Sequence, residues 1–219
     1  MQLNSEKVEE LHEKRITHKY ELLGKPKLLN KRFSATQNER ISEELLFPWV
    51  QNALPKTFKY KYKEITRKIL DSSLKLELDP LFVMSVVLTE SSFNPLAKGT
   101  SGEIGLMQLL PDTAEWISKK NNILWRGPES LKDPETNIEI GTLYLSYLRE
   151  KFSSHARLYI SAYNMGPTNV KRALRKSVWP KEYALRIMDH YKNLYSQWSM
   201  LTSVYENKIE TTRQPASVR

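Results

Sequence analysis

Apolar residues recur along this chain at helical spacing, and almost nowhere with the alternation of a strand. Residues 5–22 interleave charges with Val8, Leu11, Ile16, Leu22 and Leu23, which predicts a helix with a modest apolar face. Gly24-Lys25-Pro26 breaks that pattern, and 24–40 reads as polar and extended. A short amphipathic piece at 41–53, carrying Ile41, Leu45, Leu46 and Trp49, stops before Pro55. Within 60–77, Ile65, Ile69, Leu70, Ser73 and Leu76 fall on one helical face.

Asp79-Pro80 then has the form of a helix start, with Asp as N-cap and Pro at the first helical position. The body that follows, residues 81–88, is apolar on nearly every side and predicts a helix buried in the core. Pro111 opens a further helix containing Ala114, Trp116 and Ile117. Asp133-Pro134 repeats the start signal, and Ile138, Gly141, Leu145, Leu148 and Phe152 form a seam behind it. Helices near 155–164, 167–177 and 180–198 complete the reading, with a stop at Gly166-Pro167 and an irregular loop at 121–132. The fold expected is mainly α and built on a single core at 56–200. An N-terminal extension precedes it at 1–55, and a polar tail follows at 201–219.

Composition narrows the chemistry. With 40% apolar residues the chain can fill a core, and with no cysteine it can form neither disulfides nor thiolate metal sites. The net charge of +9 comes from 34 basic and 25 acidic residues. It favours anionic partners such as nucleic acid, acidic glycans or a cell envelope. The sharpest basic cluster, Lys171, Arg172, Arg175 and Lys176, suits either a solvated helix face or a grip on an anionic polymer. The charged start shows no secretory apolar region, and no run approaches the roughly 18–20 residues of a membrane span. Glycine is scarce at seven residues, yet three of them fall within 99–105. That loop runs straight into Leu106-Met107-Gln108-Leu109-Leu110-Pro111, which suits a cleft wall with one polar side chain, Gln108.

Glu90 is the outstanding candidate for chemistry. It ends an apolar helix, where burial and the negative end of the helix dipole both disfavour the carboxylate and raise its pKa. A proton retained near neutrality is what a general acid needs, although a helix-end glutamate can also simply face water. Tyr163, beside the Gly166-Pro167 stop, needs a partner for its hydroxyl if buried. His12, His18, His155 and His190 lack paired ligand spacing, and no Ser-His-Asp set can be assembled, so neither a metal nor a cofactor is expected. Trp125 and Trp179 lie in or beside loops and suit either sugar stacking or core packing.

Three spans in this order and spacing resemble the lytic transglycosylase domain of the soluble (SLT) type, a lysozyme-like fold. They are Glu90-Ser91-Ser92-Phe93-Asn94-Pro95, Gly105-Leu106-Met107-Gln108-Leu109-Leu110-Pro111-Asp112-Thr113-Ala114, and Ala162-Tyr163-Asn164-Met165-Gly166-Pro167. Asp133-Pro134 with Asn137 and Gly141 is similar to the family's helix start, and the resemblance covers about 60–198. It implies cleavage of the β-1,4 bond between N-acetylmuramic acid and N-acetylglucosamine in peptidoglycan, with formation of a 1,6-anhydro end. Glu90 then matches the single catalytic acid/base. Gln108 and Tyr163 match positions lining the site, and Met107 and Asn164 match positions that shape it.

Two positions depart from the family pattern. Gly99 stands where a substrate-contacting serine is usual, for which Thr100 or Ser101 are the nearby substitutes, and Leu110 stands where methionine is common. The partners implied are peptidoglycan glycan strands and not nucleic acid, acted on by a monomer in the periplasm or cell envelope. Membrane attachment would need a segment absent from this chain. Two other readings share the fold: a hydrolytic muramidase, with Glu103 as the nearest second carboxylate, and a non-catalytic glycan-binding protein, motivated by Gly99.

Overall fold

The computed structural model describes residues 5–23, 43 and 46–213. Among these the chain is helical apart from loops, with only isolated backbone bridges joining Lys98 to Ile104 and Ile104 to Leu109. The helices are α1 (Ser5–Leu23), α2 (46–53), α3 (Tyr62–Lys75), α4 (Pro80–Ser91), α5 (Pro111–Lys120), α6 (Pro134–Lys151), α7 (Ala156–Met165), α8 (Pro167–Arg175) and α9 (Glu182–Arg213). Short 3-10 turns at Lys56–Lys61 and Pro128–Lys132 precede α3 and α6, the second inside the loop expected to be irregular.

Helix α4 is the centre of the molecule, and Pro80 through Val87 are all buried. Each large apolar side chain so buried contributes roughly 1.5–3 kcal/mol, which no amphipathic surface helix could match per turn. Helices α3 and α9 pack against α4, while α6 and α7 close the other side of the core. Both Asp-Pro starts work as read: Asp79 accepts the Leu81 N–H at 2.8 Å, and Asp133 accepts the Thr136 N–H at 2.9 Å.

Of three expectations about the chain's N- and C-terminal parts, one falls outside the described residues and two meet a different local structure. The polar stretch at 24–40 lies outside the described residues. Leu22, Leu46, Val50 and Leu54, from the stretch read as an extension, are buried in the same core as the later helices. The tail expected from 201 is instead the continuation of α9 as far as Arg213. No glycine follows Gly166, and no proline follows Pro180 until Pro215, so nothing in the sequence ends that helix earlier. No helix among the described residues is long and apolar enough to cross a membrane.

Helix α1 is tied down by polar contacts as well as apolar ones. His18 is fully buried, with Nδ1 accepting the Asp79 N–H at 2.9 Å and Nε2 lying 2.9 Å from the Tyr159 hydroxyl. Because Nδ1 accepts, Nε2 carries the proton and donates to Tyr159. Arg149 grips Glu21 with two nitrogens, one of them at 2.8 Å, and Lys14 pairs with Glu77 at 2.7 Å. Through Asp79, α1 therefore supports the helix that ends in Glu90.

Candidate active site

The last turn of α4 delivers Glu90, and the chain then reverses through two left-handed residues, Ser92 (φ 49°) and Phe93 (φ 61°). Phe93 is driven into the core, where its ring meets Trp49 edge to face at 5.2 Å. That burial fixes a turn that non-glycine residues otherwise avoid. Ser91 links the helix end to the next loop by donating to Leu106 O at 2.7 Å.

Residues 97–109 form a loop stitched by its own backbone. Gly99 N donates to Glu103 O at 2.9 Å, Gly105 N to Ala97 O at 2.9 Å, and Ile104 and Leu109 exchange both of their bonds. Asn137 of α6 locks it from below: fully buried, it accepts the Met107 N–H at 2.7 Å and donates to Ile104 O and Leu131 O at 2.9 Å each. Gly105 has φ +84°, and a Cβ there would lie 2.3 Å from Asn137 Nδ2 and 2.4 Å from Leu131 O, so only glycine fits. Met107 is fully buried and lies against Gly141, so its part in this wall is support from behind.

Gln108 takes a left-handed conformation (φ 46°) and donates both amide hydrogens to the loop, to Ala97 O at 3.1 Å and Gly105 O at 2.9 Å. Its Oε1 is left facing Gly99. Tyr163, at 9% exposure, donates its hydroxyl to Met107 O at 2.7 Å, the partner its burial demanded. Burial, helped by the charge of Glu90, holds that phenol well above its ordinary pKa, so it remains a donor. Asn164, Thr100 and Ser101 are exposed at the rim, and Ser101 N–H is directed to Glu103 Oε2 at 3.0 Å.

Among the described residues Glu90 has one hydrogen-bond partner, the Tyr183 hydroxyl, which donates to Oε1. Burial raises its carboxyl above the usual range; the Tyr183 hydrogen bond and the Arg186 charge oppose this, and the Glu103 charge reinforces it. Burial also keeps Tyr183 protonated well beyond neutrality. With Oε1 occupied by that donor, a proton taken up by the carboxyl falls to Oε2.

Sequence reasoning missed Tyr183. The available signal was a seam of Tyr183, Ile187, Tyr191 and Leu194 along α9, all buried, whose leading phenol had to find an acceptor. Elsewhere, Lys171, Arg172 and Arg175 of α8 and Lys176 just after it are all exposed, Trp125 packs partly buried on the core, and Trp179 is exposed against the His155 ring. No group of three or more His, Cys, Asp or Glu side chains among the described residues is arranged to hold a metal ion.

A single glutamate at the end of a buried helix, its carboxyl raised by burial, stands beside a loop braced by Gly105 and Asn137. The chain belongs to the transglycosylase SLT domain family, whose pattern matches residues 68–186. It is 34% identical over 125 residues to the soluble lytic murein transglycosylase of Escherichia coli K12, covering 57% of this chain and 19% of that one. It is 40% identical over 101 residues to the membrane-bound lytic murein transglycosylase E of Buchnera aphidicola, covering 45% and 46%. The chain thus spans less than a fifth of the soluble relative and under half of the membrane-bound one. Among solved structures it is similar to Escherichia coli Slt70, with a TM-score of 0.55 at 23% identity over 86% of this chain and 35% of that one. An inactive Glu→Gln mutant of Slt from Pseudomonas aeruginosa gives 0.52 at 25% identity over 64% and 24%.

Proposed function

We propose that this chain is a peptidoglycan lytic transglycosylase that cleaves the MurNAc–GlcNAc β-1,4 bond, with Glu90 as its one acid/base. The observation that carries the reading is the state of Glu90: a partly buried carboxyl, raised in pKa, with one oxygen held by Tyr183 and the other without a protein donor among the described residues. The names of the relatives, all lytic murein transglycosylases, and the inactive Glu→Gln form of one of them support the same chemistry.

In this mechanism Oε2 protonates the glycosidic oxygen as its bond to C1 breaks. The resulting carboxylate then takes the proton of the muramoyl C6 hydroxyl, whose oxygen bonds to C1. The glutamate ends as it began, and no water enters the product. The resemblance implies that the sugar's own acetamido group assists at C1, so a second enzyme carboxylate is not required. Tyr183 fixes which oxygen acts, while Met107 and Asn137 hold the wall rigid. Gln108, Tyr163 and Asn164, with Thr100 and Ser101 at the rim, are the proposed substrate contacts or their supports. The expected setting is the periplasm or cell envelope, acting as a monomer on glycan strands.

Digestion of purified peptidoglycan, read by mass spectrometry, tests the assignment. Wild-type protein releases fragments ending in 1,6-anhydro-MurNAc, and Glu90→Gln releases almost none. A second reading, hydrolysis of lysozyme type, is favoured by one observation, the Glu103 carboxylate whose charge reaches Glu90. It gives products heavier by one water, and a digest made only of these would replace the transglycosylase reading.

A further inference from the structure

Glu103 has no part in the reaction above, yet its setting is specific. It is half-buried in the loop, and its Oε2 accepts the Ser101 N–H at 3.0 Å, which folds the carboxylate back over Gly99. A Cβ added to Gly99 would lie 2.1 Å from Glu103 Oε2 and 2.9 Å from Gln108 Oε1. Gly99 is not in the left-handed region, so a side chain there would meet no backbone strain, only the ends of Glu103 and Gln108, which would have to move aside.

Two acceptor groups therefore meet above Gly99. Among the described residues, Ser101 N–H is the one protein donor that reaches either the Glu103 carboxylate or Gln108 Oε1. Acceptors gathered on one loop with so few donors suit a ligand rich in O–H and N–H groups. The charge of Glu103 also reaches the acid, raising the Glu90 carboxyl. Glu90 is bonded by Tyr183 from α9 and feels the charges of Arg186 from α9 and Glu103 from the loop, while its own charge acts on Tyr163 of α7.

We propose that Glu103 is a substrate-positioning residue: with Gln108 Oε1 it accepts hydrogen bonds from hydroxyl or amide N–H groups of a bound sugar, in a space that exists because residue 99 is glycine. The assignment rests on the glycan-cleaving reading and adds a recognition element to it. Position 99 and position 103 then work as a pair. A side chain at 99 displaces the carboxylate, and loss of the carboxylate makes room for a side chain at 99.

Steady-state kinetics on uncross-linked glycan strands prepared from peptidoglycan test the pairing, with thermal melts confirming that each variant is folded. Glu103→Ala raises KM about tenfold and leaves kcat nearly unchanged, the size of one lost charged hydrogen bond. Gly99→Ser raises KM to a similar extent by pushing the carboxylate aside. The double variant is no worse than either single one, because both changes remove the same contact. Glu103→Gln keeps the shape but removes the charge, so Glu90 loses an influence that raises its pKa and the alkaline limb of kcat/KM moves to lower pH. Additive losses in the double variant, or an unchanged KM in Glu103→Ala, overturn the proposal. Absence of 1,6-anhydro ends from the wild-type digest overturns the reading it rests on; their presence alongside an unchanged KM overturns the positioning role alone.

Discussion

The two ends of α4 lie only a dozen residues apart, and both present a carboxylate, but they are built to opposite rules. At the N-terminal end, Asp79 Oδ1 takes the Leu81 N–H, Oδ2 takes the Tyr191 hydroxyl at 3.0 Å, and its backbone N–H goes to His18. Every polar group of Asp79 has a protein partner, the arrangement of a stabilising cluster. At the C-terminal end, Glu90 has Tyr183 on one oxygen and no protein donor among the described residues on the other. An incompletely satisfied, partly buried carboxyl costs stability, and that cost is what keeps its proton available.

The sharpest way to test this contrast is to substitute each carboxylate and compare the kind of damage. Glu90→Gln is expected to lower the rate of anhydro-end formation by about 10²–10⁴-fold, the range for losing a general acid. Its melting temperature stays at or above wild type, because an amide still accepts from Tyr183 without the burden of a buried charge. Asp79→Ala is expected to do the reverse. Loss of the cap and of the Tyr191 acceptor together destabilises by about 3 kcal/mol in urea unfolding. Cleavage below the unfolding transition remains at the wild-type rate. If Glu90→Gln melted as early as Asp79→Ala, the two ends would not differ in the way described.

A smaller effect sharpens the chemistry at the open end. Tyr183→Phe removes a hydrogen bond that favours the charged form of Glu90, so the carboxyl pKa moves further up. The alkaline limb of kcat/KM is expected to shift to higher pH, opposite to the shift for Glu103→Gln. The rate falls by about tenfold, since the proton is no longer confined to Oε2. A downward shift in Tyr183→Phe would mean that the phenol holds the neutral acid and not the carboxylate.

What the sequence disclosed follows the range of the interactions concerned. Helix starts at Asp79-Pro80 and Asp133-Pro134 depend on neighbours two or three residues away, and both were legible. The buried character of α4 was legible too, because it needs only an unbroken apolar run. Tyr183 was not, since its role depends on a residue 93 positions earlier that only the α4–α9 packing brings near. The docking of α1 was hidden for the same reason: His18 meets Tyr159 across 141 residues, and nothing around His18 in sequence marks it as buried. The special geometry at Gly99 was half legible. Its departure from the usual serine was visible, but the carboxylate filling the gap belongs to a side chain four residues on.

The closed end carries one further testable property, through His18. Its ring is wedged edge-on against Phe82 at 5.1 Å, and burial, with the Arg149 charge adding to it, holds the imidazole well below its ordinary pKa. A protonated ring would carry a hydrogen on Nδ1 facing the Asp79 N–H, donor against donor, so the folded protein keeps it neutral. In the unfolded chain the same ring titrates near its ordinary value of about 6.5. Above that pH neither state binds the proton, and the full stability of the His18 contacts is present. As pH falls below it, the unfolded state takes up a proton that the folded state refuses, and stability is lost progressively down to the folded pKa. One proton sets the limit at about 1.4 kcal/mol per pH unit. Urea unfolding at a series of pH values measures the slope directly, and His18→Gln is expected to be less stable at neutral pH but flatter below it. Comparing the two slopes removes the contribution of the carboxylates, which titrate in both proteins. Equal slopes would mean that the ring is protonated in place, and that the cluster beneath α4 is more open than its hydrogen bonds imply.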